Sequence, residues 1–349
     1  MTAHLPFAAA RVRVVIVDDS ASMRAMLHRI LAADPEIEVV GQAPEPNAAR
    51  AMIKELNPDV ITLDVEMPGM DGLSFLEKIM RLRPMPVIMC STLTARGAEV
   101  TIEALRLGAV DCIAKPTGNP LEIQHDAALL RKMVKEAARS TVRQASAPLA
   151  PIAVAQPGNQ RDMVIAIGAS TGGVEALFSL VGALPPDCPP VLVVQHMPAA
   201  FTQGFAARMN RETRLTVVEA VDGTPIRSGT VYIAPGGKTH MELVGGTDGH
   251  IRLRPSEPVG GHRPSVDVLF HSVAPLGSAA VGVILTGMGS DGAEGLLAMR
   301  EAGARTFGQN QASCVVYGMP RAAFELGGVE RELSLSALPE AILAACRKS

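Results

Sequence analysis

The sequence predicts an α/β protein of two domains, and three observations carry that prediction. The chain has 349 residues, more than one ordinary domain uses and enough for two that each bury a core. Hydrophobic residues make up 48% and charged residues 19%, the balance of a mixed α/β protein rather than of a disordered or fibrous one. Between Val12 and about Ala138, a short β-branched run, a turn and an apolar segment of helical period recur in series. That is the rhythm of a parallel sheet with crossover helices.

In the first domain, strands are expected at VRVVIVDD, IEVVGQ, DVITLDV, PVIMCST and DCIAKP. Their C-terminal ends carry nearly all the polar residues of interest, and ligands of such sheets gather there. From Ser140 to Arg161 the chain is rich in Ala, Pro, Ser and Gln and has no apolar period, the composition of a flexible linker. A second α/β section follows, with a strand at MVIAIGAS, a helix through VEALFSLVGAL, a strand at PVLVVQHM and a helix around FTQGFAARMN. The segments LTVVEAV, GTVYIAP, THMELVG and HIRLRP are short, extended and separated by Gly or Pro, so hairpins are expected there. A buried strand VGVILTGM, the loop GSDGAEG, a helix at LLAMREAG and a last helix near LPEAILAAC close the section. The expected division is 10–138 and 162–349, joined by a linker over 139–161.

Composition excludes several classes of function. The formal net charge is -3, so the chain has no basic excess with which to neutralise phosphates and is not expected to bind nucleic acid. The five cysteines are scattered and form no C-x-x-C pair, which argues against zinc or a redox disulfide and for a reducing compartment. MTAHLPFAAA lacks the basic and apolar regions of a signal peptide. No run reaches the roughly eighteen apolar residues that a membrane span needs, so a cytoplasmic protein is expected.

Three carboxylates stand out in the first domain: Asp18 and Asp19 end the first strand and Asp64 ends the third. Neighbouring strand ends bring them together, and such crowding calls for a hard cation such as Mg²⁺. Ser91 or Thr92 after the fourth strand and Lys115 before Pro116 add a hydroxyl and an ammonium, which together with a metal suit a phosphoryl group. Taken singly, Asp19 could share in capping the helix that starts near Ser20, Asp64 could be a solvated strand end and Lys115 a surface residue.

With those residues and the run DVEMPGMDG, residues 12 to about 138 resemble a response-regulator receiver domain. The resemblance implies a flavodoxin-like, five-stranded parallel, doubly wound sheet. It also implies that Asp64 accepts a phosphoryl group from a histidine kinase, that Asp18, Asp19 and Asp64 hold Mg²⁺ with the backbone carbonyl of Glu66, and that Ser91 and Lys115 contact the phosphoryl oxygens. A position often aromatic in that family is Cys112 here, which puts an aromatic switch at that place in doubt.

In the second domain Gly168-Ala169-Ser170-Thr171-Gly172 matches G-x-S-x-G between an expected strand and helix, the context that exposes a nucleophilic serine beside amide N–H groups. His196, just after the next strand, could serve as base, and Asp291, after another buried strand, could orient the imidazole. The plain alternatives are a small-residue turn, a structural histidine and a helix cap. His240, His262 and His271 are also available, and HRPSVD sets His262 close to Ser265 and Asp267. That cluster is set aside because an irregular loop lacks strand-end rigidity. A dinucleotide site is not expected, since the first turn lacks G-x-G-x-x-G. The order Ser, His, Asp also differs from that of α/β-hydrolases.

GASTGG, QHMP and LTGMGSDGA make residues 162–349 resemble the catalytic domain of the chemotaxis protein-glutamate methylesterases, CheB. The resemblance implies an α/β domain with a mainly parallel sheet and a hairpin-rich insertion. By it, Ser170 is the nucleophile, His196 the general base and then acid, and Asp291 the orienting carboxylate. Thr171 and Met288 supply candidate oxyanion N–H groups, and this domain needs no cofactor. Expected partners are methyl-accepting chemotaxis receptors as substrate and a chemotaxis-type histidine kinase as phosphodonor, the chain being peripheral to the membrane through receptors only. Glutamine deamidation by the same residues is also implied. The fusion suggests that the unphosphorylated receiver covers the Ser170 cleft. The rival expectation is a non-enzymatic module whose docking phosphorylation gates.

Overall fold

The structure, a computed structural model, describes residues 11–67, 71–92, 94–116, 120–140 and 163–347. The opening MTAHLPFAAA, most of the expected linker and part of the DVEMPGMDG run lie outside the described residues. The chain forms two compact units.

The first unit is built on strands β1 (Val12–Val17), β2 (Ile37–Ala43), β3 (Val60–Asp64), β4 (Val87–Ser91) and β5 (Asp111–Ala114). All pair in parallel, in the order β2-β1-β3-β4-β5. The four connections between these strands are helices α1 (Ala21–Ala32), α2 (Pro46–Leu56), α3 (Gly72–Leu82) and α4 (Ala95–Arg106), of which residues 94–108, with α4, group with the second unit; a longer α5 (Pro120–Ala138) follows β5. The expected elements are all present. Local chemistry sets their starts, because Ser20, Asp71 and Thr94 each accept a backbone N–H from the first turn of α1, α3 and α4, satisfying donors that a helix leaves open. Ser20 therefore caps α1, and Asp19 is left to face the strand ends. The central strands β3 and β4 are buried on both faces, as a parallel sheet covered by crossovers requires.

The second unit holds a seven-stranded sheet of β6 (Val164–Ala169), β7 (Val191–Gln195), β8 (Thr216–Glu219), β9 (Thr230–Ile233), β12 (Ala280–Ile284), β13 (Arg305–Gln309) and β14 (Arg331–Leu333), with β10 (Thr239–Val244) and β11 (His250–Pro255) forming a separate antiparallel hairpin. The helices are α6 (Gly173–Ala183), α7 (Ala199–Glu212), α8 (Val266–Val273), α9 (Ala293–Glu301), α10 (Met319–Glu325) and α11 (Leu338–Cys346). The sheet order is β14-β13-β12-β6-β7-β9-β8, every pair parallel.

The hairpin expectation holds for β10 and β11 and fails for β8 and β9, which pair in parallel at the sheet edge. The cause is the segment between them. Gly223 and Ile226 donate to Ile251 and Gly249, and Ile251 donates back to Thr224. The connection thus borrows β11 as a partner and returns β9 in the direction of β8, an outcome that alternation alone does not encode.

Strand β6 lies at the centre of this sheet, with the chain winding to β7 on one side and β12 on the other. Such a reversal of strand order opens a crevice at the C-terminal strand ends. Here it collects the residues after β6, β7 and β12. In register, Ala169 faces Gln195 and Gly168 faces Ile284.

Candidate functional site

In the first unit Asp18 and Asp64 are fully buried and Asp19 is exposed. One oxygen of each lies within 4.8 Å of the others. Lys115 Nζ reaches Asp18 Oδ2 at 2.9 Å and Asp64 Oδ2 at 2.8 Å. The remaining oxygens are held by backbone, since Ser20 N–H donates to Asp18 Oδ1 at 2.9 Å and Glu66 N–H to Asp64 Oδ1 at 3.2 Å. Burial raises the Asp64 carboxyl above its ordinary range despite Lys115. For Lys115, burial works against the charged form, but Asp64 and Asp18 outweigh it and hold the ammonium above its usual value.

Three carboxylates against one ammonium leave uncompensated negative charge among oxygen donors, a set that fits a hard divalent cation. The backbone also constrains this corner. A Cβ on Gly72, at the start of α3, would stand 2.1 Å from the carbonyl oxygen of Asp64. Ser91 ends β4 fully buried, its Oγ donating to Thr92 O at 3.1 Å, and its carbonyl accepts from Lys115 N–H at 2.8 Å. Thr92 is partly exposed, with Oγ1 3.4 Å from Glu66 Oε2. Cys112 is buried, its thiol pushed well up by desolvation.

In the second unit Ser170 directly follows β6 and His196 directly follows β7, its paired neighbour. His196 N–H donates to Ala169 O at 3.0 Å, and Ser170 N–H donates to Thr286 O at 3.1 Å. The crevice is packed to the limit of what glycine allows. A Cβ on Gly287 would lie 2.8 Å from Ser170 Cβ, and one on Gly168 would lie 2.2 Å from Val266 Cγ1. Gly172 has φ of 75°, the left-handed conformation that lets the chain turn at once from Ser170 into α6.

His196 Nε2 is 2.8 Å from Asp291 Oδ2. Its Nδ1 is buried with no hydrogen-bond partner among the described residues. Asp291 is buried and gathers three further donors: Ser265 Oγ to Oδ1 at 2.7 Å, Val266 N–H to Oδ2 at 2.7 Å and Asp267 N–H to Oδ1 at 3.1 Å. Val266 opens α8, so the carboxylate sits at a helix N-terminus, where dipole and orphan amides favour negative charge. Burial alone would raise its pKa, but His196, the Val266 amide and the Ser265 hydroxyl hold it well below the usual carboxylate range. Burial pushes the neighbouring Asp267 the other way, although Gly295 N–H donates to it at 2.7 Å. Asp291 therefore does not cap the helix that follows it; Gly292 takes that position without a side-chain bond.

Such an arrangement can hold an imidazole by Nε2 and leave Nδ1 as the acceptor for a hydroxyl proton. The structure brings His196 and Asp291 into contact and places Ser170 at the adjoining strand end. Thr171 and Met288 are both buried in the turns after β6 and β12.

Three participants escaped the sequence. Gln195 is buried and its Nε2 donates to both Ser170 O and His196 O at 2.9 Å, tying the two turns together. Ser265 carries the Asp291 contact and caps α8 by accepting from Val268 N–H. His262 lies flat on His196, ring centroids 4.0 Å apart. The latter two belong to the HRPSVD segment, whose Ser followed by the apolar run VDVLF is a helix-start signal that locates Ser265. His271 lies at the far end of α8, and His240 is buried as a support, accepting from Ser265 N–H at 3.0 Å.

Residues 165–342 match the model of the CheB methylesterase family, and residues 14–128 that of the response regulator receiver domain. The chain is 56% identical over 340 residues to a Caulobacter vibrioides protein named protein-glutamate methylesterase/protein-glutamine glutaminase 1, covering 96% of this chain and 98% of that protein. It is 56% identical over 337 residues to a Rhizobium johnstonii protein of the same name, covering 95% of each. Its fold is similar to the crystal structure of the Thermotoga maritima CheB methylesterase catalytic domain, with a TM-score of 0.51 and 36% identity, covering 52% of this chain and 98% of that one.

Proposed function

Because the chain belongs to the CheB methylesterase family and carries a receiver domain, we propose that it hydrolyses glutamate methyl esters, and deamidates glutamines, on methyl-accepting chemotaxis receptors under control of phosphorylation at Asp64. The observation that carries the catalytic reading is the 2.8 Å contact of His196 Nε2 with Asp291, on an imidazole that follows the strand beside Ser170.

Ser170 Oγ attacks the ester carbonyl carbon and gives its proton to His196 Nδ1 as the new C–O bond forms. The negative charge passes to the carbonyl oxygen, where the N–H groups of Thr171 and Met288 receive it. His196 then protonates the methoxy oxygen, the C–O bond to it breaks and methanol leaves. In the second half a water gives its proton to Nδ1 and attacks the acyl carbon, and Ser170 departs by taking that proton back. Asp291 stays ionised throughout and stabilises the imidazolium. For a glutamine side chain the leaving group is ammonia, which demands fuller protonation by His196.

In the receiver, Asp18, Asp19, Asp64 and the Glu66 carbonyl would hold Mg²⁺, which supplies charge neutralisation for phosphoryl transfer to Asp64. Ser91 and Lys115 contact the phosphoryl oxygens, and a chemotaxis-type histidine kinase is the phosphodonor. The boundaries 10–138 and 162–349, with a linker between, give receiver and esterase. No described helix is long and apolar enough to cross a membrane, in keeping with a cytoplasmic protein that meets the membrane only through receptors. Methanol release from methylated receptor membranes, compared between the native chain and Ser170→Ala, tests the reading; equal release by the two sinks it.

A further inference from the structure

Beyond its own Cβ, the His196 ring is held by one hydrogen bond. Its Nε2 meets Asp291 Oδ2, while Nδ1 has no hydrogen-bond partner among the described residues. Cβ and a single hydrogen bond fix a line and leave the ring free to turn about it, yet proton transfer at Nδ1 needs a fixed plane. The missing restraint is a second imidazole. His262 covers one face of His196 with ring centroids 4.0 Å apart and planes 4° from parallel, closer than the 4.5–7 Å common for aromatic pairs.

The chain presents His262 rigidly. Val259 N–H donates to His262 O at 3.0 Å and His262 N–H donates to Val259 O at 2.9 Å. Between them Gly260 and Gly261 have φ of 58° and 84°, the double positive φ of a tight two-residue turn. The adjoining Arg263 is tied by Nε to Gly237 O at 2.6 Å and by its terminal nitrogen to Ser256 O at 2.7 Å. Two residues later the same segment delivers Ser265, Val266 and Asp267 to the Asp291 carboxylate. One short stretch therefore grips both members of the His196–Asp291 pair.

We propose that His262 is a positioning residue of the esterase, whose flat ring sets the plane of His196 so that Nε2 stays on Asp291 and Nδ1 stays aligned for proton transfer. This rests on the Ser170/His196/Asp291 reading above. The requirement is planarity, not an ionisable nitrogen, so a phenyl ring should substitute for the imidazole.

The test uses the full chain with methylated receptor membranes, measuring kcat and KM from methanol release for His262→Ala, His262→Leu, His262→Phe and Ser170→Ala. Removing the ring is expected to lower kcat about 5- to 10-fold in the Ala and Leu variants, the rate equivalent of one aromatic pair, with KM little changed. His262→Phe is expected to restore most of the rate. Full kcat in His262→Ala overturns the proposal, as does equal impairment of the Phe and Leu variants, which shows that an imidazole-specific or merely space-filling role operates. If His262→Ala fails to fold by thermal unfolding, the comparison of Leu with Phe decides alone. Loss of methanol release in Ser170→Ala together with an unimpaired His262→Ala sinks only the positioning role; undiminished release in Ser170→Ala sinks the hydrolase reading itself, and this inference with it.

Discussion

The N–H of Val266 donates at 2.7 Å to Asp291 Oδ2, the same oxygen that lies 2.8 Å from His196 Nε2. The Asp291 carboxylate is thus bound on one side by His196 and on the other by the first turn of α8. Its charge is stabilised by fixed backbone dipoles.

Asp291→Asn keeps the size of the side chain and removes that charge. With an amide at 291 the imidazole loses the partner that selects its tautomer, and kcat is expected to fall by about 10⁴-fold with KM nearly unchanged. A stopped methanol assay with saturating receptor membranes measures it; a loss of less than about ten-fold would show that Asp291 does not orient the base.

The depressed pKa of Asp291 also has a stability consequence with a definite sign. A carboxyl whose folded pKa lies below its unfolded value contributes stability that is present above the unfolded value, near 3.9, and lost as pH falls through the folded one. The thermal midpoint of the native chain should therefore exceed that of Asp291→Asn at neutral pH, and the gap should narrow below about pH 4. A gap independent of pH contradicts the charge-based account.

Asp64 has the opposite sign. Burial raises its pKa, so its charge opposes folding at neutral pH and the opposition eases as pH falls or when a cation binds. Asp64→Asn is expected to raise the unfolding midpoint of the receiver by about 2–4 °C while abolishing stimulation by a small-molecule phosphodonor and sparing basal hydrolysis. Scanning calorimetry beside the methanol assay reads both; stimulation that survives moves the switch to another residue.

Gly168→Ala places a methyl 2.2 Å from Val266 Cγ1. The overpacking is expected to cost about 1–3 kcal/mol and to lower activity by displacing α8 from Asp291. Val266→Ala in the same chain should recover much of both losses, because the clash is with that side chain. Failure of the double variant to recover would place the strain elsewhere.

Much of this architecture was legible in the chain. The β-branched runs ending in Asp18, Asp64, Ser170 and His196 located four strand ends, because parallel strands buried on both faces read as continuous apolar stretches. What escaped was long-range. The pairing of the β8–β9 connection with β11 depends on hydrogen bonds between segments distant in sequence, and periodicity is blind to partners. Ser265 and His262 were visible as residue types, but their contacts with Asp291 and His196 arise only once α8 packs against the turn after β12. Gln195 reads as one more polar residue at a strand end; its two carbonyl contacts need the β6–β7 pairing first.

Val266 has no exposed surface, yet Gly168 and Gly292 both close on it, a Cβ at either standing within 2.5 Å of its Cγ1. The width of one branched aliphatic residue therefore acts as the spacer between the strand that bears the serine and the loop that bears the acid. A thinner residue there lets the two drift together and a thicker one drives them apart. The spacing between Ser170 and Asp291 is thus set by a wholly aliphatic side chain.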